Sequence, residues 1–244
     1  MFSKVKYNKI EGYSPTDNID GEKLDYNLFV ASQLLKTEVA LTVNDKILVA
    51  GCGQGHEALA LQRIFGNKVY GVDISIAKNH SVNNNVQLLR GDISKMIFNN
   101  KEFKLIYSYH VLEHVGDPDS VMKELARLLD DKGVLFIGFP NKRRIFGYLG
   151  AHVDVGIISK LRWNLNDYKY RLLGKFENKY GAHAGFTQND FFGLARKYFS
   201  YILPVRNEYM LKKYVQHNIL INSIINLKLD EYLFPSNYFI CKKS

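Results

Sequence analysis

The chain has 244 residues, 46% of them hydrophobic and 23% charged, which places it among globular proteins and excludes disordered and fibrous classes. Its apolar stretches fall short of the roughly 18 residues a membrane-spanning helix needs, and two cysteines, Cys52 and Cys241, are too few for a disulfide scaffold or a zinc site. The formal charge of +9 suits nucleic acid, an anionic membrane surface or an acidic substrate. A chain rich in Lys, Asn, Ile and Tyr also gains positive charge from AT-rich coding alone.

Residues 1–18 carry lysines with no apolar block behind them, so they do not read as a secretory signal, and the cytoplasm is the expected location. No internal repeat is visible, and the short run Asn83, Asn84, Asn85 reads as a polar loop. One domain over 1–244 is expected. Residues 21–41 place Leu24, Leu28, Leu34, Leu35 and Val39 near helical spacing, predicting a packing helix ahead of the core.

From residue 46 short apolar runs and helices alternate. KILVAG, KVYGVD, VQLLRGD and FKLIYSY read as four strands, with HEALALQRIFG as a helix closed by Gly66. DSVMKELARLLDDKG predicts a helix opened by Asp117 to Ser120 and capped by Gly133, followed by a fifth strand, VLFIGFP. This alternation predicts an α/β fold with a doubly wound, mostly parallel sheet, whose ligands sit beyond the carboxyl ends of the strands.

The turn after the first strand reads Ala50-Gly51-Cys52-Gly53-Gln54-Gly55-His56. Alternate glycines let the backbone turn sharply and let a ligand approach without meeting Cβ atoms. His56 stands where a dinucleotide fingerprint requires glycine, and the lysine of a phosphate loop is missing, so phosphate cradling is disfavoured. Asp73, at the tip of the second strand, is placed to accept hydrogen bonds from vicinal ribose hydroxyls. The third strand ends in Asp92 and Ile93, a carboxylate for an adenine amino group and an aliphatic wall for the ring.

The succession AGCGQG, VYGVDIS, LLRGDIS and FKLIYSYHVLEHVGDPDSVMKELARLLDDKGVLFIGFPN, over about residues 45–141, resembles the class I S-adenosylmethionine-dependent methyltransferases. That resemblance implies a seven-stranded Rossmann-like sheet, with S-adenosylmethionine as cofactor. It also implies that Gly51, Cys52, Gly53 and Gly55 lie against the methionine portion. Asp73 with Ile74 would hold the ribose side, Asp92 with Ile93 the adenine, and Tyr109 and His110 would border the sulfonium. Ala50 departs from the pattern, since many members carry an acidic residue there. HVLEHV at 110–115 looks most like the branch of ubiquinone-biosynthesis O-methyltransferases and bacterial sugar or lipid methyltransferases. Some quinone enzymes of that branch hold a metal at Glu-x-x-Glu-His, whose first position is His110 here. Capping and loop-ordering bonds by Glu113 and His114 are the competing reading, and no metal is expected.

The cofactor-binding half is thus assigned to 45–141, an insertion covering the acceptor to 142–186, and a closing helix and strands to 187–244, with Thr187 as an N-cap. The insertion mixes Lys142, Arg143 and Arg144 with Trp163 and several tyrosines, which suits an anionic or carbohydrate acceptor. A hydroxyl acceptor has to lose a proton, and His183, His152 and His110 are the candidate bases in that order. SYILPV at 200–205 and NYFIC at 237–241 supply the last two strands. Between them a helical stretch, basic at Lys212 and Lys213, packs on the sheet or meets a membrane surface or a second subunit.

The expected activity is methyl transfer to a hydroxyl of a small metabolite or a cell-envelope sugar or lipid, with a homodimer possible and nucleic acid disfavoured. N-methylation of an amine, or a non-catalytic nucleoside- or RNA-binding module, are the alternatives.

Overall fold

The computed structural model describes residues 18–19, 22–23, 26–148, 156–180 and 182–243. Two-residue strands β1 (Asn18–Ile19) and β2 (Glu22–Lys23) pair antiparallel. Helix α1 (Tyr26–Glu38) falls inside the segment expected to be helical and buries Leu28, Leu34 and Leu35. It packs on α2 (His56–Phe65).

The core then alternates as the sequence predicts. Strands β3 (Lys46–Ala50) and β4 (Lys68–Asp73) flank α2, and the Gly66 cap closes that helix with φ +77 and an amide bond to the Gln62 carbonyl. After β4 come β5 (His80–Asn83), β6 (Val86–Arg90), β7 (Phe103–Tyr109), α3 (Pro118–Leu128) and β8 (Leu129–Pro140). Next follow α4 (Ile157–Leu172), α5 (Gln188–Ala195), β9 (Tyr201–Pro204), α6 (Arg206–Lys213), α7 (Asn218–Asn226), α8 (Asp230–Leu233) and β10 (Ser236–Lys242). The sheet order is β5-β6-β4-β3-β7-β8-β10-β9. The central strands β6, β4, β3, β7 and β8 run parallel, and β5 and β10 enter antiparallel. Two apolar layers cover the faces, one on α1, α2 and α6, the other on α3 and α5.

Three expectations change. The sheet has eight strands, not seven, because Asn84 and Asn85 form a turn that folds β5 back on β6. All four residues of β5 are exposed, so they carry no alternation by which sequence could reveal a strand. Gly133 caps no helix: α3 ends at Leu128, Leu129 takes extended backbone as its C-cap, and Gly133 lies within β8. The pairing of β7 with β8 jumps from Phe103↔Leu129 to Leu105↔Val134, so Asp130 to Gly133 bulge out of the ladder. Lys104 at 2.9 Å from Asp130 and Lys101 at 2.6 Å from Asp131 hold the bulge. The single basic helix expected before the last strand is broken into α6, a 3-10 turn and α7.

The caps read in sequence otherwise hold. Asp117 accepts the Asp119 and Ser120 amides to start α3, and Thr187 and Asp190 form a reciprocal capping box on α5.

Candidate functional site

The loop joining β3 to α2 lies at the carboxyl edge of the sheet, where a parallel α/β sheet binds ligands. Gly51, Gly53 and Gly55 all have positive φ (+80, +52 and +90). Two of the three are fixed by packing: a Cβ on Gly51 would stand 2.3 Å from the Val111 side chain, and one on Gly55 2.5 Å from Leu88. Gly53 differs, for a Cβ there would meet nothing within 4 Å. The loop thus presents bare backbone to open space at its middle glycine, which fits a ligand needing close approach. Cys52 turns inward instead. It is buried against Gly71, and burial pushes its thiol up to about 12, so it stays protonated and unreactive.

Asp73 and Asp92 end their strands in the same three-residue turn, Asp-Ile-Ser. Asp73 Oδ1 accepts the Ser75 amide (2.8 Å) and hydroxyl (2.7 Å), while its Oδ2 accepts the Gly53 amide at 2.8 Å. Asp92 Oδ1 accepts the amide and hydroxyl of Ser94, both at 2.8 Å. Burial works to raise the Asp73 pKa, but the bonds from Ser75 and Gly53 outweigh it and hold the carboxyl below its ordinary value. The Ser94 amide and hydroxyl lower that of Asp92. Between these carboxylates Ile74 is 71% exposed, an apolar surface beside the loop, whereas Ile93 is buried in the core layer of α3.

At the tips of β7 and β8 the structure gathers His110, Glu113, His114 and His183. His110 and His183 both adopt left-handed backbone, φ +54 and +45, a conformation costly for residues with a Cβ and concentrated at functional sites. His110 Nδ1 lies 3.2 Å from Glu113 Oε1, and its Nε2 lies 3.4 Å from Ser236 Oγ. Both ring nitrogens of His110 are therefore engaged. Glu113, on a single 3-10 turn, is 4% exposed, and its Oε2 has no hydrogen-bond partner among the described residues. The second histidine, His114, sits 3.9 Å from Glu113 Oε1, and its ring meets the His183 ring edge-on at 4.7 Å. Partial burial, then the neighbouring His114, lower the His183 pKa below the ordinary imidazole value. The third candidate base, His152, lies outside the described residues. Among those described, no group of three or more His, Cys, Asp or Glu side chains is arranged to hold a metal ion.

The expected basic rim is rearranged. Arg144 is 3% exposed; its Nη2 pairs with Asp167 Oδ2 at 2.8 Å, and its guanidinium donates to the carbonyls of Asn141, His183 and Ala184, each at 3.2 Å. It ties the insertion to the strand tip and does not face an acceptor. Arg143 pairs with Glu231 at 2.5 Å, and Lys142 is half-buried. No sequence pattern linked Arg144 to Asp167, or Ser236 to His110, because each pair meets only through the fold. The same holds for the ring stack of half-buried Tyr109 on buried Tyr238 and Tyr209. Further along the same sheet edge a cavity of about 520 Å³ opens between Pro204, Gln188, Arg206 and Lys228. It lies beyond β10 and shares no lining residue with the glycine loop.

Comparison with known proteins meets this geometry at the same residues. Positions 48–137 match a family model described as a methyltransferase domain. Over these residues the chain is a methyltransferase domain of the class I, S-adenosylmethionine-dependent kind. The match takes in β3, the glycine loop, Asp73, Asp92 and the strand tip carrying His110. It ends within β8, so the insertion and the last strands lie outside the domain model. The methyltransferase is 32% identical over 117 residues to a ubiquinone biosynthesis O-methyltransferase of Pelagibacter ubique, spanning 44% of this chain and 48% of that protein, just under half of the relative's length. It is 27% identical to a ubiquinone biosynthesis O-methyltransferase of Coxiella burnetii, over 83% of this chain and 87% of the relative. Two solved structures share the fold. A Haemonchus contortus phosphoethanolamine N-methyltransferase in complex with S-adenosyl-L-methionine has a TM-score of 0.54 at 16% identity, covering 91% of this chain and 53% of that one. A geranyl diphosphate C-methyltransferase of Streptomyces coelicolor has a TM-score of 0.53 at 14% identity, covering 88% and 77%. Since these two proteins are named for nitrogen and carbon methylation, the fold leaves the acceptor atom open.

Proposed function

We propose that this methyltransferase transfers a methyl group to a hydroxyl oxygen of a small metabolite or of a sugar or lipid, at the tips of β7 and β8, with His183 as the base. One observation carries the reading. His183 is the histidine at that edge whose backbone is latched by Arg144, whose ring meets His114 and whose pKa is lowered, which favours the neutral imidazole a base requires. The similarity to ubiquinone biosynthesis O-methyltransferases supports oxygen as the acceptor atom.

When bound, S-adenosylmethionine supplies an electrophilic methyl group on a positively charged sulfur. The open backbone at Gly53, with Gly51, Cys52 and Gly55 in the same loop, suits its methionine portion. Asp73 suits the ribose hydroxyls, and Asp92 the adenine, with the exposed face of Ile74 against the ring, while Ile93 lies in the core layer below the Asp92 turn. Tyr109 and His110 border the transferring end. His110, held at one ring nitrogen by Glu113 and meeting Ser236 at the other, orients that border and ranks behind His183 as the base. His183 takes the hydroxyl proton as the acceptor oxygen becomes nucleophilic. Arg144 keeps the His183 carbonyl, and with it the strained backbone, in place.

The test is radiolabelled methyl transfer from S-adenosylmethionine to a panel of phenols, sugars, hydroxylated lipids and amines. Labelling of a hydroxyl compound by the wild type, lost in His183→Ala, is the expected result. Labelling of amines alone overturns the oxygen assignment, and unchanged turnover in His183→Ala overturns the base.

A further inference from the structure

The cavity beyond β10 has a polar wall whose charges cancel. Arg206, at the start of α6, is 4% exposed; its Nη1 donates to Asn237 Oδ1 at 2.9 Å and its Nη2 to Asp230 of α8. Gln188, at the start of α5, turns its amide oxygen to both Nη atoms at 2.9 Å. Glu231 is held by Arg143 from outside the cavity. Within the lining, Asp230 and Glu231 therefore offset Arg206 and Lys228.

Two polar atoms of this wall are left over. Arg206 Nε, a donor, and Asn207 Oδ1, an acceptor, are buried with no hydrogen-bond partner among the described residues. Buried polar atoms are nearly always paired, because leaving one unpaired forfeits its hydration for nothing. Lys228 adds a second sign. It closes α7 with φ +57, its amide donating to the Ile225 carbonyl and the Leu229 amide to the Ile224 carbonyl, both at 2.9 Å. That motif calls for glycine, and a side chain there holds strain of the kind concentrated at binding sites.

The chemistry of the wall selects the ligand. A spare donor beside a spare acceptor calls for groups that accept and donate alike, as hydroxyls do. The carboxylates of Asp230 and Glu231 disfavour an anion. Only Pro204 and Tyr232 bring apolar surface, too little for a lipid chain, but the 42% exposed Tyr232 offers a flat ring on which the C–H face of a sugar can lie. The volume of about 520 Å³ falls within the roughly 300–1,000 Å³ of small-molecule sites. Neither spare atom is open to solvent, so the half-buried Asn207 side chain turns to admit a hydroxyl, and the wall closes on the ligand.

We propose that the cavity between α5, α6 and α8 binds a neutral sugar ring, at a site separate from methyl transfer. The sugar is held whether or not it is methylated. The test is saturation-transfer NMR of the full chain with glucose, galactose, mannose, rhamnose and N-acetylglucosamine, each at about 10 mM, enough to populate a site with a Kd of about 1 mM. Transfer to at least one of them is expected, unaffected by saturating S-adenosylhomocysteine and by His183→Ala. Asn207→Leu and Tyr232→Ala should each weaken binding about five-fold or more, with thermal midpoint unchanged. Should Asn207→Leu impair folding, Tyr232→Ala decides, because that ring is exposed. No transfer to any of the five sugars overturns the proposal, as does binding undiminished in the folded variants. Displacement by S-adenosylhomocysteine, or loss in His183→Ala, assigns the sugar to the methyl-transfer site and overturns it equally. Methyl transfer is read separately by radiolabel, so either proposal can fail alone.

Discussion

Asp73 accepts the amide of Gly53 at 2.8 Å, so the tip of β4 holds the middle of the glycine loop. The same carboxylate that suits a ribose therefore also shapes the backbone against which the ligand would lie. Asp73→Ala removes both at once, and each charged hydrogen bond is worth about 1.5–3 kcal/mol. The expected outcome is at least a ten-fold loss of S-adenosylhomocysteine affinity by calorimetry. Affinity equal to wild type removes Asp73 from the cofactor site.

The pH dependence of that affinity has a definite sign. The folded pKa of Asp73 is depressed, so its ionised contribution is present above the ordinary carboxylate range and is lost as pH falls through the depressed value. Ser75→Ala takes away a hydrogen bond that lowers this pKa. Loss of S-adenosylhomocysteine binding on acidification should then begin at higher pH in the variant. Superimposable titrations would contradict the role given to Ser75.

For His183 a neutral base at lowered pKa places the acid limb of kcat below the ordinary imidazole value of about 6.5. His183→Ala should cost about 10²–10⁴-fold in kcat, the range of general base catalysis, and flatten that limb. His114→Gln removes the neighbouring charge that contributes to the lowering, so the limb should move to higher pH. A shift to lower pH would show that His114 acts on His183 in the opposite sense.

Arg144 and Asp167 form a buried pair at 2.8 Å. Arg144→Met leaves the carboxylate without its partner and should destabilise the fold by about 3–5 kcal/mol. Adding Asp167→Leu should recover part of that loss, because no charge is then stranded. Denaturant unfolding of the single and double variants measures this, and additive losses would show that the two residues do not act as a pair.

Two glycines separate packing from ligand access. A Cβ on Gly185 would stand 1.7 Å from the Pro140 carbonyl oxygen, at φ +75, so Gly185→Ala should abolish folding or lower the thermal midpoint severely. Gly53→Ala meets no protein atom and should cost only about 1 kcal/mol of backbone strain, while lowering cofactor affinity. Equal effects on stability would show that the loop is packed more tightly than its geometry indicates.

Local chemistry explains what was legible before the structure. KILVA and FKLIYSY announce buried strands because both faces are apolar, and Thr187, Asp117 and Gly66 act within one helical turn, so their caps can be read from neighbours alone. The Asp-Ile-Ser turns place Asp73 and Asp92 for the same reason. Tertiary partners decide the rest. Arg144 looked like a rim cation until Asp167, 23 positions away, claimed it. The contact of His110 with Ser236, 126 positions away, likewise forms only through the fold. Gly133 had the residue type of a helix cap, but the ladder to β7 draws the chain into β8 four residues earlier. The apolar residues of α4 recur at helical spacing, and spacing alone does not say which side faces water.

Both margins of the sheet are shut to strand addition. On one side β5 is four residues long, wholly exposed, and slips register between Ser81 and Asn83. On the other β9 is equally short and ends at Pro204, which has no amide proton to offer. Short, irregular and proline-terminated borders are poor templates for another chain's backbone. Strand addition by another chain is therefore disfavoured at both borders of this sheet.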